Sequence, residues 1–209
     1  MQQHNFDVDI QLPSSNQKIK INKDTIEVNQ SKINCSEVKA IKYGVSLIGP
    51  VKKPVRKEYK IDILDKNDKT LSISFSSSKV QEMLEEDHTY YYVMSGLWQY
   101  VKKGLISSFI DTLNNHESFN IGHTNINHDG VTLSYKTWWF GKIKTEVTPW
   151  SDLKYYLDKG NLNIQSLSNG KKKAQLSLHN DWNAVVLNTL MHYLWQDNRK
   201  QKLAKGEKI

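Results

Sequence analysis

The sequence predicts an α+β fold, mainly β, in which one antiparallel β-rich unit occurs twice with a long helix between the copies. Three observations carry this reading. Short stretches of period-two apolar alternation recur on both sides of the middle of the chain. Four of these stretches match between the two sides in the same order. The stretch between them, residues 89–114, lacks Pro and repeats its apolar residues at helical spacing.

The helical stretch is the organising element. Met94, Trp98, Val101, Leu105 and Phe109 form one stripe, and Ile106, Ile110 and Leu113 form a second, turned from the first. A helix with two apolar sides needs two surfaces to lean on. At about 1.5 Å per residue it runs to about 39 Å, longer than a cap on one small barrel needs. Gly96 and Gly104 lie within it, so the chain either packs closely there or bends.

Composition sets the limits. A chain of 209 residues with 38% hydrophobic content can build one large or two small cores. The longest apolar runs are broken by charge, which excludes a helical membrane crossing. The first residues have neither a basic nor an apolar signal region, and Cys35 is the single cysteine, so a cytoplasmic address is expected. The formal charge of +7 favours acidic partners, although a moderate basic excess also serves solubility alone.

Taken in order, residues 1–16 are polar and read as a flexible leader. Ile19 and Ile21, then a turn at Asn22 to Asp24, then Ile26 and Val28 make a hairpin. Strands follow over 38–47, 58–64 and 70–75, with an insertion-like segment at 44–57. Ser78 with Gln81 gives a capping-box signal for a short helix ahead of the long one. The pattern then restarts. Residues 125–133 align with 20–28, and Ser151-Asp152-Leu153-Lys154 answers Ser36-Glu37-Val38-Lys39. A hairpin over 162–178 answers that of 58–75. Asn180 then caps a helix whose face is Trp182, Val186, Leu190 and Tyr193. Domains are expected at 17–115, including the long helix, and at 116–197, with a basic tail at 198–209.

Each copy has too few helices for parallel crossovers, so its sheet is antiparallel, and curling into a partial barrel under one helix protects its edges. The element order, the paired Ser-acid-aliphatic-Lys segments and the helix over residues 181–194 resemble the pleckstrin-homology-like (PH-like) superfold, and in particular duplicated bacterial PH-like proteins. The resemblance implies two PH-like antiparallel partial barrels, each with a C-terminal helix, coupled by the long central helix. It also implies docking of a ligand or peptide along strand edges and loops, without catalysis.

No catalytic signature is found. His123 and His128 fall on opposite faces of a strand and turn, and one cysteine builds no zinc site, so no metal and no cofactor is expected. Cys35 is the best candidate nucleophile of a hydrolase reading, against the plainer reading of a residue entering a strand. Asp62 and Asp65 read as solvated positions near a strand end. Two stretches are candidate surfaces. Lys52, Lys53, Arg56 and Lys57 surround Pro54 and suit an anionic lipid head group or other anion, against a merely solvated loop. Lys136, Trp138, Trp139, Phe140 and Lys142 combine aromatic and basic groups suited to a lipid interface or to bases, against an internal packing role. The C-terminal basic run is accompanied by no nucleic-acid motif. The expected function is a non-enzymatic binding or scaffold module for a protein or peptide partner, acting through an exposed strand edge or the groove between the copies. Attachment to an anionic membrane is the alternative.

Overall fold

Asn22 and Asn127 show how local sequence sets the architecture. The side-chain oxygen of Asn22 accepts the backbone N–H groups of Asp24 and Thr25, both at 2.9 Å. That of Asn127 accepts those of Asp129 and Gly130, both at 3.0 Å. Each asparagine thereby closes a tight hairpin turn between two apolar strands. A computed structural model describes residues 6–12, 16–136 and 141–204, with side chains up to 194. Strand makes up 46% and helix 26%, so the fold is mainly β, with curled antiparallel sheets and a half-barrel. The chain divides into two compact units, Met1–Leu105 and Ile106–Ile209. The boundary falls inside the helical segment and not after it, as the sequence suggested.

In the first unit, strands β1 (Val8–Gln11), β2 (Lys18–Ile21), β3 (Thr25–Val28) and β4 (Ser31–Asn34) form one sheet in chain order. A 3-10 turn at Cys35–Glu37 leads into β5 (Val38–Ile48), β6 (Arg56–Asp65) and β7 (Thr70–Ser77), which form a second sheet in chain order. β3 and β4 meet β7, and helix α1 (Glu85–Leu97) lies against β1, β2 and β7. Ile19, Ile21, Ile26, Ile41, Ile61, Ile63 and Ile73 are fully buried between them. Burying each such side chain contributes about 1.5–3 kcal/mol.

Two expectations are corrected here. The leader is not loose along its length, because Val8–Gln11 pairs with β2 and Val8 and Leu12 are buried. Residues 44–57 are not an insertion. Val45 to Ile48 continue β5 in unbroken register with β6, leaving only a short connection at residues 49–55.

The short helix expected from Ser78 is absent, and α1 begins at Glu85. Its start is set by Asp87, whose carboxylate accepts the Leu84 N–H at 2.9 Å and satisfies one orphan donor of the first turn. After α1 the chain makes a π-helical turn at Trp98–Lys102 and resumes as α2 (Lys103–Asn114). Val93, Leu97, Val101 and Leu105 are buried at a spacing of four. Such a row drifts around an ordinary 3.6-residue helix, and the wider turn absorbs that drift. Gly96 resolves the choice posed by the sequence in favour of close packing. A Cβ there would lie 2.9 Å from Val8 Cγ2 and 3.3 Å from the Phe6 carbonyl oxygen. Gly96→Ala is expected to destabilise the first unit by about 1–2 kcal/mol, overpacking exceeding the gain in helix propensity. Chemical denaturation checks this, with Gly104→Ala as the control, since a Cβ at Gly104 meets nothing within 4 Å.

The second unit repeats the element order. It contains β8 (Ser118–Ile121), β9 (Thr124–Asn127), β10 (Gly130–Lys136) and β11 (Ile143–Pro149), then a 3-10 turn at Trp150–Asp152. β12 (Leu153–Asp158), β13 (Asn161–Ser166), β14 (Lys173–Ser177) and α3 (Ala184–Ala204) follow. β10 pairs with β11 along its length, with β9 at its start and with β14 at Ser134, which joins all seven strands in one curled sheet. One further bond recurs between the units. The Lys66 N–H donates to the Glu37 carbonyl at 2.9 Å, and the Leu167 N–H donates to that of Asp152 at 2.7 Å. The last helix starts at Ala184 and not after Asn180. It buries residues 184–187 with Leu190 and Met191, while Tyr193, expected on the buried face, is exposed. The backbone of the expected tail is helical to Ala204.

Candidate functional site

Among the described strands β5 stands at the edge of its sheet, with β6 as its neighbour. Alternation places Ile41, Tyr43, Val45 and Leu47 on one face of it. Ile41 is buried and Tyr43 half-buried, but Val45 and Leu47 are 41% and 58% exposed. The apolar row therefore runs out of the core into the open along this strand.

A cavity of about 380 Å³ lies where this row meets the helix. Its walls include Ile41 and Tyr43 from β5, Tyr91 and Met94 from α1, and Trp98 and Lys102 from the π-helical turn. Lys102 is 6% exposed. Its Nζ donates to Tyr43 Oη at 2.7 Å and sits 5.3 Å from the Tyr43 ring centroid and 5.4 Å from that of Trp98. Both rings present π faces suited to a cation. Among the described residues no carboxylate forms an ion pair with Lys102. Burial pushes its pKa down to about 8 and that of Tyr43 up to about 12.

Beside the cavity a second network ties α1 to β6. Asp87 accepts Lys57 Nζ at 2.6 Å and the Tyr59 hydroxyl, and Lys57 also reaches the Glu82 carbonyl at 3.1 Å. Burial raises the pKa of Asp87, but the Leu84 N–H, Lys57 and Tyr59 outweigh it and hold the carboxyl below its ordinary value. Burial, then the bond to Asp87, pushes Tyr59 up. Tyr59 stacks on Phe75 at 4.8 Å and lies 5.1 Å from Tyr90.

The predicted residues fall as follows. Of the basic quartet, Lys52 and Lys53 are exposed on the connection between β5 and β6, and Arg56 pairs with Glu58 at 2.6 Å. Lys57 is withdrawn into the Asp87 network and is not a surface cation. Lys136 ends β10 and Lys142 is exposed beyond it, while Trp138, Trp139 and Phe140 lie outside the described residues. Lys136, Lys171, Lys173 and Ile143 line a groove of about 570 Å³, where the β13–β14 turn meets β10 and β11.

Cys35 is buried. Its thiol donates to the Asn22 carbonyl at 3.4 Å, and burial, with Asp24, pushes its pKa up to about 11, so it holds its proton at neutral pH. Asp62 and Asp65, expected to be solvated, are each 4% exposed. Asp62 accepts the Ser72 hydroxyl at 2.7 Å and lies 3.8 Å from Lys42 and 3.3 Å from Lys60, and Asp65 accepts the N–H groups of Asn67 and Lys69.

Sequence reasoning missed Lys102. One signal was present, Trp98 four residues before it on the same helix face. Its burial follows from the π-helical turn and from Tyr43, a residue 59 positions away. No family model matches the chain, and no curated protein or solved structure matches it either. No helix among the described residues is long and apolar enough to cross a membrane.

Proposed function

We propose that the chain is a non-enzymatic cytoplasmic binding module made of two PH-like units joined through the helix of residues 85–114, and that it captures an extended segment of a partner protein along β5. The repeated order of four strands, 3-10 turn, three strands and helix supports the PH-like pair. The exposed Val45 and Leu47, on a strand that stands at the edge of its sheet among the described strands, carry the binding reading. A strand added there gains main-chain hydrogen bonds, and the apolar row selects alternate side chains.

Peptides selected from a random display library against the full chain test this. They are expected to carry alternating apolar residues, to perturb the β5 amides, and to bind at least ~10-fold more weakly to Val45→Lys/Leu47→Lys. Peptides that bind this variant equally, or leave β5 unperturbed, would sink the reading.

Attachment to an anionic surface is favoured at a different place from the predicted loop, because Lys136, Lys171 and Lys173 converge on one groove of the second unit. Sedimentation with vesicles containing anionic lipid is expected to be salt-sensitive and to fall in Lys171→Glu/Lys173→Glu. No sedimentation at low salt removes this second reading.

A further inference from the structure

We propose that the Lys102 cavity is a binding site for a small organic carboxylate, whose apolar body lies against Tyr91, Met94 and Trp98 and whose carboxylate meets Nζ of Lys102. The site lies wholly within the first unit. It does not rest on strand addition at β5, since the ligand is held by Lys102 and the α1 side of the cavity.

Charge is the first argument. A buried ammonium is costly unless it is paired, and Lys102 has the Tyr43 hydroxyl and two ring faces but no carboxylate among the described residues. An ammonium carries three donors, and Tyr43 accepts one. Because Tyr43 Oη accepts from Lys102, its own O–H is free to donate to the second oxygen of an incoming carboxylate.

Size and lining are the second. About 380 Å³ falls within the range of small-molecule sites, roughly 300–1,000 Å³. Its walls are mainly aromatic and aliphatic, so the ligand is an acid with an apolar body and not a sugar or a polar metabolite.

The third is the count of cations. Lys103, next in the chain, is exposed and donates to Gln99 Oε1 at 2.6 Å, which leaves Lys102 as the single cation in the cavity wall among the described residues. One ammonium neutralises a monocarboxylate and leaves a phosphate dianion half-compensated.

Binding is also coupled to a proton. Lys102 is poised at about 8, and a carboxylate at Nζ favours the ammonium, so binding at pH 8.5 draws in a proton. The neighbours that titrate high already hold theirs. They are Tyr43 on β5 at about 12, Cys35 on the adjoining 3-10 turn at about 11, and Tyr90 on α1, raised by burial. Of the other described ionisable groups on these segments Tyr91 alone lines the cavity, and Asp7, next to the lining residue Phe6, accepts the Tyr100 hydroxyl at 2.8 Å.

Titration calorimetry of the full chain with octanoate and phenylacetate, against octanamide and phenylacetamide, tests the proposal. Both acids are expected to bind saturably at about millimolar concentration or below, and the amides at least ~10-fold more weakly. Lys102→Met is expected to lose the preference for acid over amide. Repeating the titration at pH 8.5 in two buffers of different ionisation enthalpy should show net proton uptake in the wild type alone. Should Lys102→Met not fold, Tyr91→Ala, at a side chain 67% exposed, is expected to weaken both acids. Absence of saturable acid binding, equal binding of acid and amide by the wild type, or an acid preference that survives Lys102→Met or is unmoved by Tyr91→Ala would overturn the assignment.

Discussion

Asp87→Ala is expected to destabilise the first unit by about 2–4 kcal/mol at neutral pH, because it strands Lys57 and the Tyr59 hydroxyl without their shared acceptor. The side chains of Lys57 and Asp87 are only 11% and 14% exposed, so water replaces the lost partner poorly. The same change also unties the Leu84 N–H at the start of α1. The sign of the pH dependence follows from the lowered carboxyl. Its stabilisation is fully present above the ordinary aspartate pKa and is lost as pH falls through the depressed value in the folded chain. Wild type and variant should therefore converge in acid. Equal stabilities at pH 7, measured by chemical denaturation, would show that the network contributes nothing.

Lys102→Met is expected to act in the opposite direction, stabilising the first unit by about 2–3 kcal/mol at pH 7 through removal of a buried charge. Lost contacts to Tyr43 and Trp98 reduce this somewhat. The pH signature is again definite. Below about 8 both folded and unfolded chains carry the ammonium, and the penalty on the wild type is complete. From about 8 upward the unfolded state holds more protons than the folded one, so wild-type stability rises with pH toward the ordinary lysine value. The Cys35 thiol, pushed up to about 11, opposes this at higher pH, which makes the difference between wild type and variant the quantity to follow. That difference should shrink from pH 7.5 to 9.5. A variant that is no more stable than the wild type at pH 7 would mean that Lys102 is better solvated than its burial implies.

What the sequence disclosed was local. Asn22 and Asn127 form their turns with their own neighbours, and the two Ser-acid-aliphatic-Lys segments end their 3-10 turns and open β5 and β12 where the alignment places them. What it concealed was set by distant partners. β1 is a four-residue stretch in a mostly polar leader, and its strand character comes from pairing with β2. Lys57 reads as one of a surface quartet until Asp87, 30 residues on, is seen beside it. The π-helical turn leaves no mark in the pattern, because the stripes of an ordinary helix fit residues 94–109 nearly as well. Without that turn, only Trp98, four residues earlier, distinguishes Lys102 from the exposed Lys103 beside it. The same holds for function. An apolar row on a strand reads as core, and only the exposure of Val45 and Leu47 turns its far end into a surface.

Amide hydrogen exchange along β5 in the free chain tests the open edge most directly. Of the amides of Tyr43, Gly44, Val45 and Leu47, those that do not bond to β6 should exchange orders of magnitude faster than their neighbours that do. Uniformly slow exchange along the whole strand would show that its outer edge is already paired, and would contradict the account of β5 as the place where a partner adds.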